Sequence, residues 1–570
     1  MITKLVIRNF KSIKEESYSF TNFDLLVGPN NSGKSTILQA LAIWQFCVDE
    51  FHRAKRKGQR GIQVVLPNFT ALPVPEFNLL WNQKRDRKYS KDKDKEGKSK
   101  PEYILIEIDV TWRESNGQEK TFGVKIRYLS PQTVYAIPTE GWEIFRQYDK
   151  DKSLPVIAYV PPFSGLEPIE KRQDISNLKQ QVGKGQPGSI MRNLLLLVEK
   201  EDEMGKANRW EEINSVVQNW FGIELKKPKY EVGSDTQITC EFTDKKQNYD
   251  IIAGGSGFHQ TLTLLAFLYG YKPTTILLDE PDAHLHVNLQ REIIDFFREM
   301  SAKQNIQFLI ATHAEELIKA VDANRIVSLL QQKPIRESSK PDLLGAMADI
   351  SNSEINQLRS SPFLIYVEGD TDERIIRTWA GILDAKNDIK RVCFKNMIGG
   401  SKEDKKKYAD KHFLSVKQII PRTERLMIFD YDTESTAFHP QKTNEALFEW
   451  KRKNIENYLL VPSAWKRALH QVLNVPDDIF LSPLKKIIDD FFVSENLTIP
   501  PSKNWVDLDA NVFKVVDGKK MLFDSKESLF NQLRKSNPEL SLIREAVAGA
   551  MIEEEIHQDV KDLFKKIKNG

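Results

Sequence analysis

The chain has 570 residues, of which 40% are hydrophobic, 29% charged and 10% aromatic, so global disorder is excluded and three or four domains are expected. Eighty-three Lys and Arg against 80 Asp and Glu leave a formal charge of +3. That balance excludes a uniformly basic, histone-like nucleic-acid binder, so any such contact must use local patches or bridging metal.

Residues 2–9 alternate as a strand, and Phe23–Val27 is a short apolar strand running into a glycine-rich turn. Helical spacing follows over Ser35–Phe46. From about 48 to 160 the pattern loosens into an expected insertion. Within it Lys84–Pro101 is almost wholly charged and is expected to be a solvated loop. Tyr103–Trp112 and Thr121–Tyr128 alternate around Asn116-Gly117 and predict a hairpin. Regularity returns near Ile251: a glycine cluster, a helix over Phe258–Tyr269, a strand over Thr275–Leu278, a helix over Asn288–Met300 and a strand over Gln307–Ala311. This alternation predicts a parallel α/β sheet. Gln331–Pro341 loses periodicity and is the expected linker region. A second α/β unit then runs through a strand (Phe363–Val367), a helix (Asp372–Leu383), a strand (Arg391–Met397), a helix (Glu403–Ile419) and a strand (Leu426–Phe429). Beyond about Pro462 the sequence is helical in character and carries no chemical motif.

Cys47, Cys240 and Cys393 lie far apart, with neither zinc-site spacing nor an even disulfide framework, which fits a reducing compartment. The start MITKLVIRNFKSI has no signal-peptide core, and no apolar run approaches the roughly 20 residues of a membrane span. A cytoplasmic protein with no membrane segment is expected.

Two sets of residues carry chemistry. Gly28-Pro-Asn30-Asn31-Ser32-Gly33-Lys34-Ser35-Thr36 matches the phosphate-binding P-loop, placed between a strand and a helix. Its backbone N–H groups would face phosphates, Lys34 would reach the β/γ oxygens, and Ser35 would hold Mg²⁺. The apolar strand Thr275–Leu278 delivers Asp279 to support that Mg²⁺. Glu280 follows, suited to orient or deprotonate the attacking water, and His313 follows the next strand within reach of a γ-phosphate. The second set is Glu368-Gly-Asp-Thr-Asp372-Glu373 after one apolar strand and Asp430-Tyr-Asp432 after another. Carboxylates at the carboxyl ends of strands in one βαβαβ unit imply Mg²⁺ or Mn²⁺ and phosphodiester chemistry. Asp372 and Glu373 equally suit a helix cap.

Residues 1–46 and 250–330, with the opening LVIRNFKSI and Ala253-Gly-Gly-Ser256-Gly257, resemble the ABC ATPase heads of the RecF/SMC/OLD group. That resemblance implies that Ser256 and Gly257 form a signature contacting ATP held by the other head of a homodimer. Glu368-Gly-x-x-Asp372, Gly399-Gly400 and Asp430-x-Asp432 resemble a TOPRIM domain over about 361–435. In that family the glutamate is general acid or base and the aspartates bind metal, roles that would fall to Glu368, Asp430 and Asp432. Lys451–Leu460 (KRKNIENYLL) resembles a segment in some relatives, so Glu456 is either a further metal ligand or a surface helix carboxylate.

The combination resembles the OLD (overcoming lysogenization defect) nucleases. It implies an α/β chain with an ABC-type ATPase domain over 1–335 (insertion about 48–160), a linker over 336–360, a TOPRIM domain over 361–465 and a helical region over 466–570. The implied activity is ATP-gated, metal-dependent cleavage of nucleic acid, DNA favoured over RNA, in antiphage defence, by a homodimer or higher oligomer and in some relatives with a separate defence partner. Two alternatives stay open: a PARIS-like ATPase–TOPRIM effector cutting RNA such as tRNA, and a non-nucleolytic RecF-like ATP-driven clamp.

Overall fold

A computed structural model describes the chain except residues 55–60, 94–98, 163–164, 175–177, 179–186, 204, 206–207, 331–333, 338–349, 432–445, 475–477, 500–503, 509 and 570. It divides into two compact units, Met1–Leu344 and Gly345–Gly570.

In the first unit β1 (Ile2–Phe10), β2 (Ile13–Ser19), β3 (Phe23–Val27) and α1 (Lys34–Arg53) come in rapid succession. The segment expected as an insertion is integral to a sheet. Strands β4 (Ile62–Val65), β7 (Ile106–Arg113), β8 (Glu119–Ser130) and β9 (Thr133–Pro138) join β1 and β2 in the order β2-β1-β7-β8-β9-β4. The predicted hairpin is present, with Arg113 paired to Glu119 around the Asn116-Gly117 turn. The charged stretch after Lys84 is no simple loop: β5 (Arg87–Lys93) and β6 (Ser99–Tyr103) pair antiparallel. Opposite charges face each other there, Lys88 with Glu102 at 3.3 Å, and Arg87 lies over the Tyr103 ring. Such cross-strand pairs substitute for apolar alternation.

The second sheet is the predicted α/β layer, built from β10 (Ile157–Val160), β14 (Thr275–Asp279), β15 (Gln307–Thr312), β16 (Ile326–Ser328) and β17 (Ile335–Arg336) around β3. Its order is β10-β14-β15-β3-β16-β17, parallel except for the edge pair β16–β17. Strands β3, β14 and β15 are buried throughout, which is why they read as unbroken apolar runs. A small antiparallel sheet, β11 (Glu224–Leu225), β12 (Glu241–Asp244) and β13 (Gln247–Asp250), precedes the glycine cluster. Helices α2 (Met191–Glu203), α3 (Ser256–Tyr271) and α4 (Val287–Gln304) belong to the same unit.

The second unit contains a four-stranded parallel sheet in the order β19-β18-β20-β21, from β18 (Phe363–Val367), β19 (Cys393–Asn396), β20 (Glu424–Phe429) and β21 (Leu447–Glu449). Helices α5 (Asp370–Ile382) and α6 (Lys402–Ile419) connect its strands. Within the expected linker, Asn352–Ser360 is helical and closed by a capping box at Ser351 and Glu354. The carboxyl-terminal helices, among them α7 (Pro462–Leu473) and α8 (Arg544–Gly549), share one hydrophobic core with the sheet: Ile365, Trp379 and Leu426 lie in the same cluster as Trp465, Val547 and Leu563. Among the described residues no helix is long and apolar enough to cross a membrane.

Candidate nucleotide site and carboxylate centre

Strand β3 ends at Val27, and the turn reaches α1 through Gly33 at φ +101°, a left-handed conformation that glycine adopts without penalty. Lys34 is only 5% exposed, and among the described residues its ammonium donates to the Gly28 and Pro29 carbonyls, at 2.7 and 3.2 Å. The Ser32 hydroxyl, in the same turn, is buried without a hydrogen-bond partner among the described residues. A bound phosphate would satisfy both groups, so the residues present fit the nucleotide.

The residues separated most in sequence meet here. Ser35 Oγ donates to Asp279 Oδ1 at 2.9 Å, and Tyr159 Oη donates to Asp279 Oδ2 at 3.1 Å. Burial raises the Asp279 pKa, and these two hydrogen bonds oppose the rise. Burial also lowers the Lys34 pKa, against the charges of Glu280, Asp279 and Asp282. Glu280 sits at φ +51° and its Oε1 lies 3.3 Å from His313 Nδ1. Lys34, Ser35, Asp279, Glu280 and His313 are thus gathered at the carboxyl ends of the neighbouring strands β14, β15 and β3. Gly28 and Ser32 belong to the same turn: a Cβ on Gly28 would lie 2.7 Å from Ser32 Oγ. Asn30, Asn31 and Thr36 hold their expected places in the turn and the first helical turn.

Ser256 and Gly257 open α3, with Ser256 exposed. Among the described residues Ser256 forms no hydrogen bond to the Gly28–Thr36 turn of its own chain; the contact expected of Ser256 and Gly257 is with nucleotide held by a second head. Two residues went unread as site members. Tyr159 comes from β10, and Lys11 from the β1–β2 turn, where it donates to Gln39 Oε1 at 2.6 Å. Burial lowers the Lys11 pKa while the Asp279 charge opposes it. The only hint was Lys11 within NFKSI.

In the second unit, parallel pairing of β18 with β20 sets Glu368 beside Asp430, and Glu368 Oε1 accepts the Asp430 N–H at 3.0 Å. Asp372 does cap α5: its Oδ2 accepts from the Glu368 and Gly369 N–H groups, both at 3.1 Å. It is nonetheless part of the carboxylate cluster. Burial, then the charges of Glu456 and Glu368, push its pKa up to about 7. Asp430 is driven well above the carboxylate range by burial, then by Asp372, Glu368 and Glu456. Glu456 is no surface helix carboxylate; it is 3% exposed in the 3₁₀ turn Ile455–Leu459, and burial raises its pKa against Arg544 and Lys519. Glu373 turns away to Arg377 at 2.7 Å. Asp432 lies outside the described residues.

Cations already meet this cluster. Lys405 Nζ lies 2.6 Å from Glu368 Oε2, Arg544 Nε lies 2.9 Å from Glu456 Oε1, and Lys402 Nζ donates to the Asp430 carbonyl at 2.8 Å. Arg544, from the carboxyl-terminal helices, was not anticipated. Among the described residues no three His, Cys, Asp or Glu side chains are arranged to hold a metal ion. Glu368 and Glu456 are turned to an ammonium and a guanidinium, and with Asp372 and Asp430 they form an all-oxygen set whose further expected member, Asp432, lies outside the described residues.

Two family models match the chain: "AAA ATPase domain" over residues 1–128 and "AAA domain, putative AbiEii toxin, Type IV TA system" over 244–319. An ATP/GTP phosphatase of Helicobacter pylori is 20% identical over 337 residues, 56% of this chain and 88% of that protein. The "Probable ABC transporter ATP-binding protein p29" of Mesomycoplasma hyorhinis is 27% identical over 130 residues, 23% of this chain and 50% of that protein. Among solved structures, the SmcHead bound to the C-winged helix domain of ScpA matches with a TM-score of 0.35 at 17% identity, over 57% of this chain and 94% of that one. The first unit carries an ATP-binding ATPase domain split between the beginning and the later part of its sequence.

Proposed function

We propose that the chain is an ATP-dependent, divalent-metal-dependent nuclease of OLD type, an ABC-type ATPase joined to a TOPRIM-like nuclease unit. It acts on DNA in antiphage defence, as a cytoplasmic homodimer or higher oligomer formed through the ATPase heads. The ATPase half rests on the meeting of Lys34, Ser35, Asp279, Glu280 and His313. Lys34 holds the phosphates, Ser35 and Asp279 hold the nucleotide's Mg²⁺, and Glu280 steered by His313 takes a proton from the attacking water.

The observation that carries the nuclease half is the mutual repulsion of Glu368, Asp372, Asp430 and Glu456 at the carboxyl ends of parallel strands. An all-oxygen donor set of this charge suits Mg²⁺ or Mn²⁺, which Glu368, Asp430 and Glu456 together with Asp432 would hold in place of the Lys405 and Arg544 cations. When bound, the ion would activate water and neutralise charge on the phosphodiester. Glu368, hydrogen-bonded to the Asp430 backbone and to Lys405, is placed to hold or release a proton at Oε2.

The test is cleavage of plasmid DNA, single-stranded DNA and tRNA with Mg²⁺ or Mn²⁺, with and without ATP. DNA cleavage should fall by at least about 100-fold in Glu368→Gln and in Asp430→Asn. No cleavage by the wild type, or cleavage surviving both changes, refutes the nuclease. Cleavage confined to tRNA refutes DNA as the substrate.

A further inference from the structure

The Glu280 backbone is held where a non-glycine residue seldom rests. At φ +51° it lies in the left-handed region, at a cost of about 1–2 kcal/mol that neighbouring contacts must offset. On one side the Glu280 N–H donates to the Ala311 carbonyl at 2.8 Å. On the other stands Gln260, from α3, which is 3% exposed within the buried run Phe258–Tyr269. Its amide nitrogen donates to the Pro281 carbonyl at 2.5 Å and to the Glu280 carbonyl at 3.4 Å. Its amide oxygen accepts the His284 N–H at 3.2 Å. Both ends of one buried amide are thus spent on a single five-residue turn.

Other side chains secure only the later part of that turn. Gln290 donates to the Leu285 and Asp282 carbonyls at 3.1 and 3.4 Å, and Thr312 Oγ1 donates to Asp282 Oδ1 at 2.7 Å. Among the described residues, Gln260 is the side chain that bonds the Glu280 and Pro281 carbonyls. Rotation of that peptide pair would swing the Glu280 Cα–Cβ bond and carry its carboxylate away from His313, 3.3 Å from it.

We propose that Gln260 is a positioning residue for ATP hydrolysis: by clamping the Glu280–His284 turn it fixes the direction in which Glu280 presents its carboxylate to the attacking water. This rests on the ATPase reading and adds to it a residue that touches neither phosphate nor water. Because Gln260 lies one helical turn beyond Ser256, any displacement of α3 reaches Glu280 through the same amide.

The test compares full-length wild type with Gln260→Met, which keeps the length and volume but removes donor and acceptor, and with Gln260→Glu. Gln260→Met should lower kcat by at least about tenfold while the Kd for a fluorescent ATP analogue changes by less than about twofold. Gln260→Glu retains the acceptor for His284 and regains a donor to the carbonyls only when protonated. Its kcat relative to wild type should therefore rise as pH falls, which a loss of packing alone would not produce. Wild-type kcat in Gln260→Met, or a pH-independent ratio for Gln260→Glu, overturns the proposal. If Lys34→Ala hydrolyses ATP as fast as wild type, the ATPase assignment itself has failed instead.

Discussion

Asn457 offers the sharpest test of how the second unit holds Glu456 in place. It is fully buried in the 3₁₀ turn after Glu456, and its side chain makes three bonds to a distant backbone segment. Nδ2 donates to the Phe513 and Val516 carbonyls, both at 2.8 Å, and Oδ1 accepts the Gly518 N–H at 3.0 Å. Asn457→Ala strips all three partners at once. Each buried group left unsatisfied costs about 1–3 kcal/mol, and the half-buried Val516 carbonyl can recruit water, so the sum is about 3–6 kcal/mol. Against a total stability of about 5–15 kcal/mol that is a large share of the reserve. With a urea dependence of about 3 kcal/mol per molar for a unit of this size, the midpoint should fall by about 1–2 M. Hydrogen exchange over the Trp465 helix, read alongside urea melts, assigns the loss to this unit. Gly518→Ala should have a similar effect, because a Cβ there would lie 2.5 Å from Asn457 Oδ1 and 2.8 Å from its backbone nitrogen. The double change should cost less than the sum, since Asn457→Ala removes the Oδ1 part of the clash and the backbone part remains. An unchanged midpoint in Asn457→Ala would refute the reasoning.

Lys34→Ala should abolish nucleotide binding, measured by isothermal titration; wild-type affinity would remove the P-loop role. Glu280→Gln should bind ATP normally and hydrolyse it at least about 100-fold more slowly in a phosphate-release assay, since a neutral amide cannot take the water's proton. A pH effect on stability should come from Glu170, which burial pushes up to about 7 although Asn193 and Arg192 donate hydrogen bonds to it. Its folded pKa exceeds its unfolded one, so the folded state holds the proton more tightly. Its contribution is therefore full below about pH 4.5 and lost as pH rises through about 7. Wild type should lose up to about 3 kcal/mol relative to Glu170→Gln from low to neutral pH in urea melts; a constant difference refutes the shift.

Much of this was legible because short-range rules suffice for it. The strand Phe363–Val367 falls where its apolar run places it, and the strands before Asp279 and His313 are longer by one residue than expected. Helix lengths were less readable: α1 continues to Arg53 because Val48 and Phe51 extend its buried face. The hairpin in the charged stretch escaped notice because ion pairs rather than apolar alternation define it. Lys11, Tyr159 and Gln260 escaped for another reason. Each is a single polar residue, and only the topology sets it against Asp279 or Glu280. The helices beyond Pro462 carry no motif because most of their work is apolar, in the core shared with β18 and β20, while Arg544 delivers one guanidinium to Glu456.

The strand order of the first unit also governs when the protein becomes competent during its own synthesis. Strand β3 has no lateral partner until β15 and β16 exist, since Phe23 pairs with Phe308 and Leu25 with Ile326. At a translation rate of about 5–20 residues per second, the P-loop strand waits roughly 15–60 s for its neighbours. Meanwhile β1, β2 and β7–β9 can close their antiparallel sheet. Nascent chains stalled before Gln307 should therefore hold a folded β-sheet with no nucleotide affinity, and affinity should arise abruptly once Ser328 has cleared the ribosome. The second unit, drawn from one uninterrupted stretch, carries no such delay.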